Sequence, residues 1–278
     1  DGDCSFQDAF IGSANAISFS LSTQGSSNRN FKVSIADNLN TIGLFTTIPI
    51  QFSADCNNCT IELDGQKSNG TKTKIVPSAT TPPASAFLIS EDIGNITIKN
   101  FDFQGFSAPA VLVQSIHNTQ VTLSDNSFGQ VDASTQPNNT AIQLTDADHA
   151  LITNNIFGRQ TDNGISLKGS SNENSIESNL FGIASSTNLL SSLPSIQNDA
   201  INIDEESRNT SIVSNLITDA GRIGISIIGG TGHEIGLNNR FFNNTGLAVA
   251  LASRGNDQES RAVLTSAYRS GSAVKVAG

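Results

Sequence analysis

Short runs of alternating apolar and polar residues recur along most of the chain. Each run has a small residue, an apolar residue, any residue and a second apolar residue, as in Ala200-Ile201-Asn202-Ile203. The runs begin at Ala86, Ala110, Ala141, Gly164, Ala200, Gly224 and Ala248, and the last three starts are 24 residues apart. Alternation over so few residues, with many β-branched side chains, predicts short strands. The spacing predicts a repeat array whose units bury their apolar faces only against one another.

A second motif follows these runs. It consists of an aliphatic residue, two variable residues, Asn, one variable residue and a large apolar residue. Its copies are Leu123-Asn126-Phe128, Ile152-Asn155-Phe157, Ile176-Asn179-Phe181 and Ile212-Asn215-Ile217, and Asn239-Phe241 closes the series. Asn suits turns because it tolerates left-handed backbone and its amide can bond to neighbouring copies. We therefore predict that Asn126, Asn155, Asn179, Asn215 and Asn239 form a structural ladder, in preference to a ligand groove.

The two motifs together predict an all-β, single-stranded parallel β-helix, in which each strand stacks on its copy one coil away. Coils about 4.8 Å apart would place like side chains in contact. One inward column would contain Ile142, Ile165, Ile201, Ile225 and Val249, and another Phe128, Phe157, Phe181, Ile217 and Phe241. We predict one continuous domain with a cap at 1–15, irregular first coils at 16–85 and regular coils at 86–278.

The first fifteen residues differ from the repeat. Asp3 can cap a short helix whose apolar residues Phe6, Ala9 and Phe10 share one face. Such a capping helix would cover core and strand edges at the first coil.

The N-terminal sequence also resembles a known family. Asp1-Gly2-Asp3-Cys4-Ser5 and Ala14-Asn15-Ala16-Ile17-Ser18-Phe19 are similar to the opening of CSLREA-domain proteins, in which Cys-Ser/Thr-Leu-Arg-Glu-Ala-Ile precedes Ala-Asn and Thr-Ile-x-Phe. The chain departs from that form at Phe6, Gln7, Asp8 and Phe10. The resemblance implies right-handed parallel β-helix repeats in a secreted or surface-anchored microbial protein, and it implies no single activity.

Composition narrows the possible partners. The chain has 15 Lys and Arg against 25 Asp and Glu, a net charge of −10. Nucleic acids and anionic membranes offer such a surface no counter-charge, so we predict neither as a partner. No apolar run approaches the roughly 20 residues that span a bilayer, so we predict no membrane insertion.

Three cysteines, Cys4, Cys56 and Cys59, lie near the N-terminus. Structural zinc usually takes four Cys or His ligands, and the three histidines lie elsewhere, so we predict no metal and no cofactor. A disulfide in an oxidising compartment is the favoured interpretation. Cys4 with Cys56 or Cys59 would fix the N-terminal segment to the first coils, and Cys56 with Cys59 would only close a turn.

One acidic group is the best candidate for catalysis. Aligning the coils places Asp162, Asn198 and Arg222 in one column, Asn163 and Asp199 in the next, and Lys168 beside Asp204 beyond the strand. Asp162, Asp199, Asp204 and Arg222 could thus share a face, as the paired carboxylates of glycoside hydrolases do. Lys168 and Asp204 need be no more than a surface ion pair. A further alignment puts His149, Glu173, Asn209 and His233 at one turn.

Three more features concern the surface. Coils lengthened around Asp132–Asn139 and Ala184–Gln197 should leave the same corner, where repeat proteins often carry function. Strands at Ser260–Ala267 and Ser272–Ala277 would end in an uncovered coil, which is an association surface. Asn-x-Ser/Thr sequons mark possible glycosylation at Asn58, Asn69, Asn95, Asn138, Asn209 and Asn243.

We therefore predict an extracellular or cell-surface β-helix that is structural or adhesive and associates through its C-terminal coil, with end-to-end assembly into a filament as one form. The alternatives are a carbohydrate-active enzyme that uses the acidic face and a glycan-binding module without turnover.

Overall fold

The computed structural model describes much of the 278-residue chain. The described residues are 18–21, 30–34, 41–44, 50–54, 59–77, 85–90, 92, 94–129, 137–185, 188–189, 196–204, 206–252, 254–256, 266–270 and 273–277. All regular elements among them are β-strands.

Three long parallel sheets contain most of the strands, and the chain visits them in a fixed rotation. Sheet A contains β1 (Ser18–Leu21), β4 (Ile50–Ala54), β7 (Phe87–Ile89), β10 (Val111–Ile116), β13 (Ile142–Ala147), β16 (Ile165–Lys168), β21 (Ile201–Ile203), β24 (Ile225–Ile227) and β27 (Val249–Leu251). Sheet B contains β2 (Asn30–Ser34), β5 (Cys59–Asp64), β8 (Gly94–Lys99), β11 (Gln120–Ser124), β14 (Leu151–Thr153), β17 (Ser175–Glu177), β22 (Ser211–Val213) and β25 (Glu234–Ile235). Sheet C contains β3 (Thr41–Leu44), β6 (Thr73–Pro77), β9 (Phe101–Phe103), β12 (Ser127–Phe128), β15 (Ile156–Phe157), β18 (Leu180–Phe181), β23 (Leu216–Thr218) and β26 (Arg240–Phe242).

The register confirms the predicted parallel β-helix. On sheet A, Ile142 pairs with Ile165, and the column continues through Ile201 and Ile225 to Val249. On sheet C the column runs through Phe128, Phe157, Phe181, Ile217 and Phe241. Each strand therefore stacks on the equivalent strand of the next coil, which is the arrangement that the repeat period requires.

The sheet C column forms an aromatic stack in the interior. The ring centroids lie 4.9 Å apart between Phe103 and Phe128, 5.2 Å between Phe128 and Phe157, and 4.4 Å between Phe157 and Phe181. The planes in these pairs differ by 12° or less. All four rings are at most 1% exposed. Burial of each large side chain contributes roughly 1.5 to 3 kcal/mol, so this stack is a main source of stability.

The corner between sheets B and C is tight because one residue per coil adopts left-handed backbone. These residues, with φ between 54° and 67°, are Asp125, Asn154, Ser178, Ser214 and Asn238. Each precedes an asparagine of the predicted ladder. The left-handed conformation that we assigned to the ladder asparagines thus falls one residue earlier, and it leaves their side chains directed along the stack.

The early coils extend the same three sheets. The sequence pattern in this stretch also predicts strands at Ile17–Leu21, Phe31–Ile35, Thr47–Phe52, Thr60–Leu63 and Thr71–Val76, and these overlap β1, β2, β4, β5 and β6 in that order. The sequence analysis missed β3, Thr41–Leu44, because the run is only four residues long and Gly43 lowers its strand propensity. The predicted capping helix at 1–15 lies outside the described residues, and so do Cys4 and Cys56. Cys59 begins β5, and its pairing is a prediction that no described contact tests.

Both lengthened coils leave the helix after a sheet C strand. One follows β12, and the other follows β18 and begins with β19 (Ile183–Ser185) paired antiparallel with β20 (Asn188–Leu189). Bridges from Asn138 to Gln160, from Gln160 to Ile196 and from Ile196 to Ala220 return the chain to register.

The C-terminal strands correct the prediction that regular coils run to residue 278. β28 (Ser266–Ser270) and β29 (Ala273–Ala277) pair antiparallel with each other. Parallel pairing needs a crossover of a dozen or more residues, and only two residues separate these strands. The described parallel coils extend to Leu251.

Candidate functional site

The acidic face lies where the chain enters sheet A. Backbone bonds from Asn198 N to Asp162 O (3.2 Å) and from Arg222 N to Asn198 O (3.1 Å) place these three residues in one column. The Asp162 carboxylate accepts hydrogen bonds from Thr140 Oγ1 (3.2 Å) and Asn198 Nδ2 (2.9 Å). Arg222 Nη1 in turn donates to Asn198 Oδ1 at 2.7 Å. The column is a chain of polar contacts across successive coils.

Asp199 occupies the adjacent column and is 1% exposed. Its backbone N donates to Asn163 Oδ1 (3.1 Å), and its Oδ1 accepts from Ile223 N (3.1 Å). Its Oδ2 lies 3.4 Å from Asn202 Nδ2 and 3.9 Å from Arg222 Nη1. The carboxylate thus supports the turn of the next coil, and a polysaccharide has no access to it.

Asp204 lies at the far end of β21 from Asp199. Five residues of extended chain span about 16 Å, whereas the paired carboxylates of glycoside hydrolases lie about 5 to 9.5 Å apart. Asp204 N donates to Leu167 O, which places it next to Lys168 in register. The structure therefore brings Asp162, Asp199 and Arg222 together and leaves Asp204 apart.

The five asparagines between sheets B and C lie in one column and bond along it. The backbone N of Asn126, Asn155 and Asn179 donates to Oδ1 of the next member at 2.9 Å, and Asn215 N donates to Asn239 Oδ1 at 3.0 Å. Each Nδ2 donates to a backbone carbonyl of the preceding coil at 2.8 to 2.9 Å. Asn126, Asn155, Asn179 and Asn215 are at most 1% exposed. This asparagine ladder satisfies buried backbone groups, which is a structural role.

A second set of amide side chains, which sequence reasoning missed, lies at the corner between sheets C and A. Asn138 Nδ2 donates to Phe103 O and its Oδ1 accepts from Phe106 N. Gln160 Nε2 donates to Phe128 O, and Asn244 bonds Ala220 N and Ile217 O. The two insertions make the spacing of these amide residues irregular, so the sequence shows no repeat among them. The detectable signal is an amide residue three or four positions before the small residue that opens a sheet A run, as at Asn138, Gln160 and Asn244; Ile196 and Ala220 take the equivalent places in two other coils.

The histidine alignment at the corner between sheets A and B needs a correction of one residue. His149, Glu173 and Asn209 share left-handed backbone with Gly232, not with His233. Because Ser211 pairs with Glu234, His233 lies opposite Thr210. There its Nδ1 accepts from Thr210 N at 3.3 Å. The imidazole therefore accepts a hydrogen bond from the backbone of the preceding coil, as the Asn174 side chain does from Ala150 N in an earlier coil.

A half-buried lysine lies at the base of a turn between β5 and β6. Lys72 Nζ donates to Ser127 Oγ at 3.0 Å. Burial lowers the pKa of Lys72, and the charges of Asp125 and Asp102 oppose that shift. A Ser–Lys pair serves as nucleophile and base in some hydrolases. Here Ser127 is 1% exposed, so the contact fixes the turn to sheet C.

His117 makes the clearest pH-dependent contact among the described residues. Its Nδ1 lies 2.9 Å from Asp148 Oδ2, and this hydrogen bond raises the pKa of His117 above its ordinary 6.5. A raised folded-state pKa stabilises the fold below pH 6.5 and the gain disappears as pH rises through the folded value. The ring is 57% exposed, so solvent screens the contact and the gain is small.

We expect an NMR titration to give His117 a pKa above 6.5, and the Asp148→Asn variant to return it towards 6.5. A wild-type His117 that titrates at or below the ordinary value would show that the contact with Asp148 does not form in solution.

The sequons differ in accessibility. Asn69, Asn95, Asn209 and Asn243 are exposed. Asn138 is fully buried and its amide is bonded to the backbone, so the folded chain does not present it for glycosylation. Asn58 lies outside the described residues.

The last described coil carries the large apolar side chains that are most exposed. Leu237, Phe242 and Leu247 are 84%, 62% and 59% exposed. Ile235, Phe241, Val249 and Leu251 pack against the core and are only partly buried. β25, β26 and β27 are the final strands of sheets B, C and A. Apolar side chains and open strand edges thus coincide at one end.

Across the described ranges, no three His, Cys, Asp or Glu side chains are grouped as a metal ion would need. The same part of the chain contains no helix that is long and apolar enough to span a membrane.

Comparison with known proteins supports the fold. No curated protein matches the chain. The family model described as "Right handed beta helix region" matches residues 85–263, which is more than half of the chain and includes every coil from β7 to β27. This fold occurs in both enzymes and structural proteins, so it leaves the activity open. The chain belongs to the right-handed β-helix family.

Proposed function

We propose that this protein is a structural element outside the cell that associates with further copies of itself through its C-terminal coil. The observation that carries the proposal is the coincidence of exposed Leu237, Phe242 and Leu247 with the last strand edges of all three sheets.

The strand edges supply one part of the argument. β27 pairs with β24 on one side, and among the described strands none pairs with its other side. The same holds for β25 and β26. An edge strand presents N–H and C=O groups in the geometry that another strand requires. A partner coil with the same three-sided cross-section would satisfy all three edges together.

The apolar side chains supply the other part. Soluble proteins rarely expose a group of large apolar residues unless it marks an interaction site. Covering these residues removes apolar surface from water, at roughly 25 cal/mol per Å². The partly buried Ile235, Phe241, Val249 and Leu251 would complete the interior columns against the next copy.

The symmetry of association distinguishes two assemblies. If the C-terminal coil meets the first coil of another copy, the contact is heterologous and the parallel sheets continue into a filament. If two C-terminal coils meet about a two-fold axis, the contact closes as a dimer. We favour the filament, because it continues the parallel pairing and the side-chain columns of the coils, and it requires the predicted cap at 1–15 to move off the strand edges of the first coil.

The enzyme alternative receives less support from the same geometry. Asp199 is buried and Asp204 lies at the other end of β21. The Asp162 carboxylate accepts from Thr140 and Asn198. These contacts are those of a turn in a stacked coil, and we propose no catalytic role for them.

The association is tested by a charged double variant, Phe242→Asp with Leu247→Asp. Placing two carboxylates at the apolar end should weaken self-association by at least about tenfold, because each carboxylate would be desolvated in the contact. Sedimentation velocity over a range of concentrations measures the effect, and negative-stain electron microscopy separates filaments from dimers.

Gln120→Asp is the matched control, because Gln120 is exposed on sheet B in an earlier coil. It should leave association unchanged. A wild-type chain that stays monomeric at high concentration would overturn the proposal. A closed dimer, without filaments, would overturn only the end-to-end form.

A further inference from the structure

We propose that Asn69 is a covalent modification site, at which the side-chain amide is hydrolysed without an enzyme to give aspartate or isoaspartate. The site lies away from the C-terminal coil and does not depend on the proposed association. The inference rests on the geometry of the turn that carries Asn69 and on a second Asn-Gly pair in the same chain.

The turn that carries Asn69 leaves the coil between β5 and β6. Gln66 and Lys72 form an antiparallel bridge at its base. Inside it, Lys67 N donates to Thr71 O at 3.0 Å and Gly70 N donates to Lys67 O at 2.9 Å. Residues 68–71 are exposed at its tip. Water therefore has direct access to the Asn69 amide.

Thr71 activates that amide. Both its backbone N (3.0 Å) and its hydroxyl Oγ1 (2.7 Å) donate to Asn69 Oδ1. Two donors on a carbonyl oxygen polarise it and stabilise the negative charge that develops when a nucleophile adds to the carbon. The same donors would stabilise the carboxylate of the product.

Gly70 removes the steric barrier to the reaction. A Cβ at this position would meet no atom within 4 Å apart from its two chain neighbours, and the backbone φ is +80°. Because glycine has no side chain, the Gly70 nitrogen can approach Asn69 Cγ without steric hindrance. Gly70 N is bonded to Lys67 O in the closed turn, so the rate depends on local opening of this turn, which exposed surface turns undergo readily.

The chemistry balances with water as the only co-reactant. Gly70 N loses its proton and bonds to Asn69 Cγ, and the side-chain nitrogen leaves as ammonia, which gives a five-membered cyclic imide. Water then adds to one imide carbonyl and breaks its bond to nitrogen. Attack on one carbonyl gives aspartate, and attack on the other gives isoaspartate, which lengthens the main chain by one carbon.

Asn163-Gly164 provides an internal comparison with the same dipeptide. Asn163 is 8% exposed and its Oδ1 accepts from Asp199 N at 3.1 Å. Gly164 N donates to Asp199 O at 3.1 Å, and a Cβ on Gly164 would lie 2.6 Å from Ala200 O. Reaction here requires opening of a stacked coil. The fold therefore protects one Asn-Gly pair and presents the other.

The modification would change this corner of the protein. It adds a negative charge to a turn that also contains Lys67 and Lys72, and it removes the Asn69-Gly70-Thr71 sequon. In the isoaspartate product the longer main chain disturbs the pairing of Lys67 with Thr71, and with it the turn that holds Lys72 against Ser127.

Peptide mass spectrometry of the folded chain, incubated at mildly alkaline pH, tests the proposal. We expect conversion at Asn69 to be at least about tenfold faster than at Asn163. In the urea-unfolded chain the two rates should become similar, because both pairs then have the same flexible backbone.

Two variants separate the contribution of Gly70 from that of Thr71. Gly70→Ala should slow conversion at Asn69 by about tenfold, because a methyl group then blocks the approach to Cγ. Thr71→Val removes the hydroxyl donor at nearly constant volume and should slow it by a smaller factor. Similar rates at Asn69 and Asn163 in the folded chain would overturn the proposal. So would a folded chain that stays unmodified at Asn69 while the unfolded chain converts.

Discussion

Replacing Phe157 with alanine should lower the free energy of unfolding by about 3 to 5 kcal/mol. Phe157 is fully buried, with ring centroids 5.2 Å from Phe128 and 4.4 Å from Phe181. The neighbouring coils cannot collapse into the space, because backbone bonds on all three sheets fix their separation. The cost therefore includes a cavity and two lost ring contacts.

Urea unfolding followed by circular dichroism measures the loss, since the chain has no Trp and one Tyr to report by fluorescence. Phe242→Ala is the matched control: the same substitution at a ring that is 62% exposed should change the stability of the monomer by no more than about 0.5 kcal/mol. Equal effects at the two positions would mean that the aromatic stack does not form in solution.

The columns of the β-helix were predictable because the repeat period fixes them. Once Gly224 is aligned with Ala200, Ile201 must meet Ile225 in any stacked arrangement, and the structure pairs them. The same alignment placed Asp162, Asn198 and Arg222 in one column, where backbone bonds join them. The alignment depends only on the repeat period and not on side-chain chemistry. It is therefore correct even where the aligned residues are of different types.

Strand pairing was harder to predict where the chain leaves the repeat period. Thr41–Leu44 is a short strand whose Gly43 lowers its propensity, and the parallel pairing of β3 with β6 stabilises it. At the C-terminus, Ser266–Ser270 and Ala273–Ala277 have the composition of coil strands but pair as a hairpin. Short-range patterns indicate a strand, and only connection length indicates its partner.

The candidate acidic site shows a different limit. Sequence alignment placed Asp199 on the face that would hold a catalytic carboxylate, but it gave no measure of burial. In the structure its Oδ1 accepts from Ile223 N, and the residue is 1% exposed. Turn-supporting and catalytic aspartates look alike in sequence, and they differ in the contacts that the fold makes around them.

Replacing Asn179 with alanine should destabilise the protein by about 3 kcal/mol or more. The substitution removes the acceptor of Asn155 N (2.9 Å) and the donor to Ile152 O (2.8 Å). It also removes the side-chain bonds to the asparagines on either side. Each buried polar group left unsatisfied costs about 1 to 3 kcal/mol, and two such backbone groups are stranded here.

The Asn179→Asp variant tests the loss of the donor to Ile152 O separately from the loss of the acceptor of Asn155 N. Aspartate keeps an oxygen for Asn155 N but turns an acceptor towards Ile152 O and buries a charge, so we expect a loss at least as large as for alanine. Native-state hydrogen exchange localises the effect: in Asn179→Ala the Asn155 amide should exchange faster, while the Asn126 amide, bonded to Asn155 Oδ1, changes less. Asn95→Ala, an exposed asparagine on β8, is the control and should have little effect. An Asn155 amide that stays equally protected in Asn179→Ala would show that the ladder bonds do not hold the coils together, and the stacking of apolar columns would then have to account for coil spacing alone.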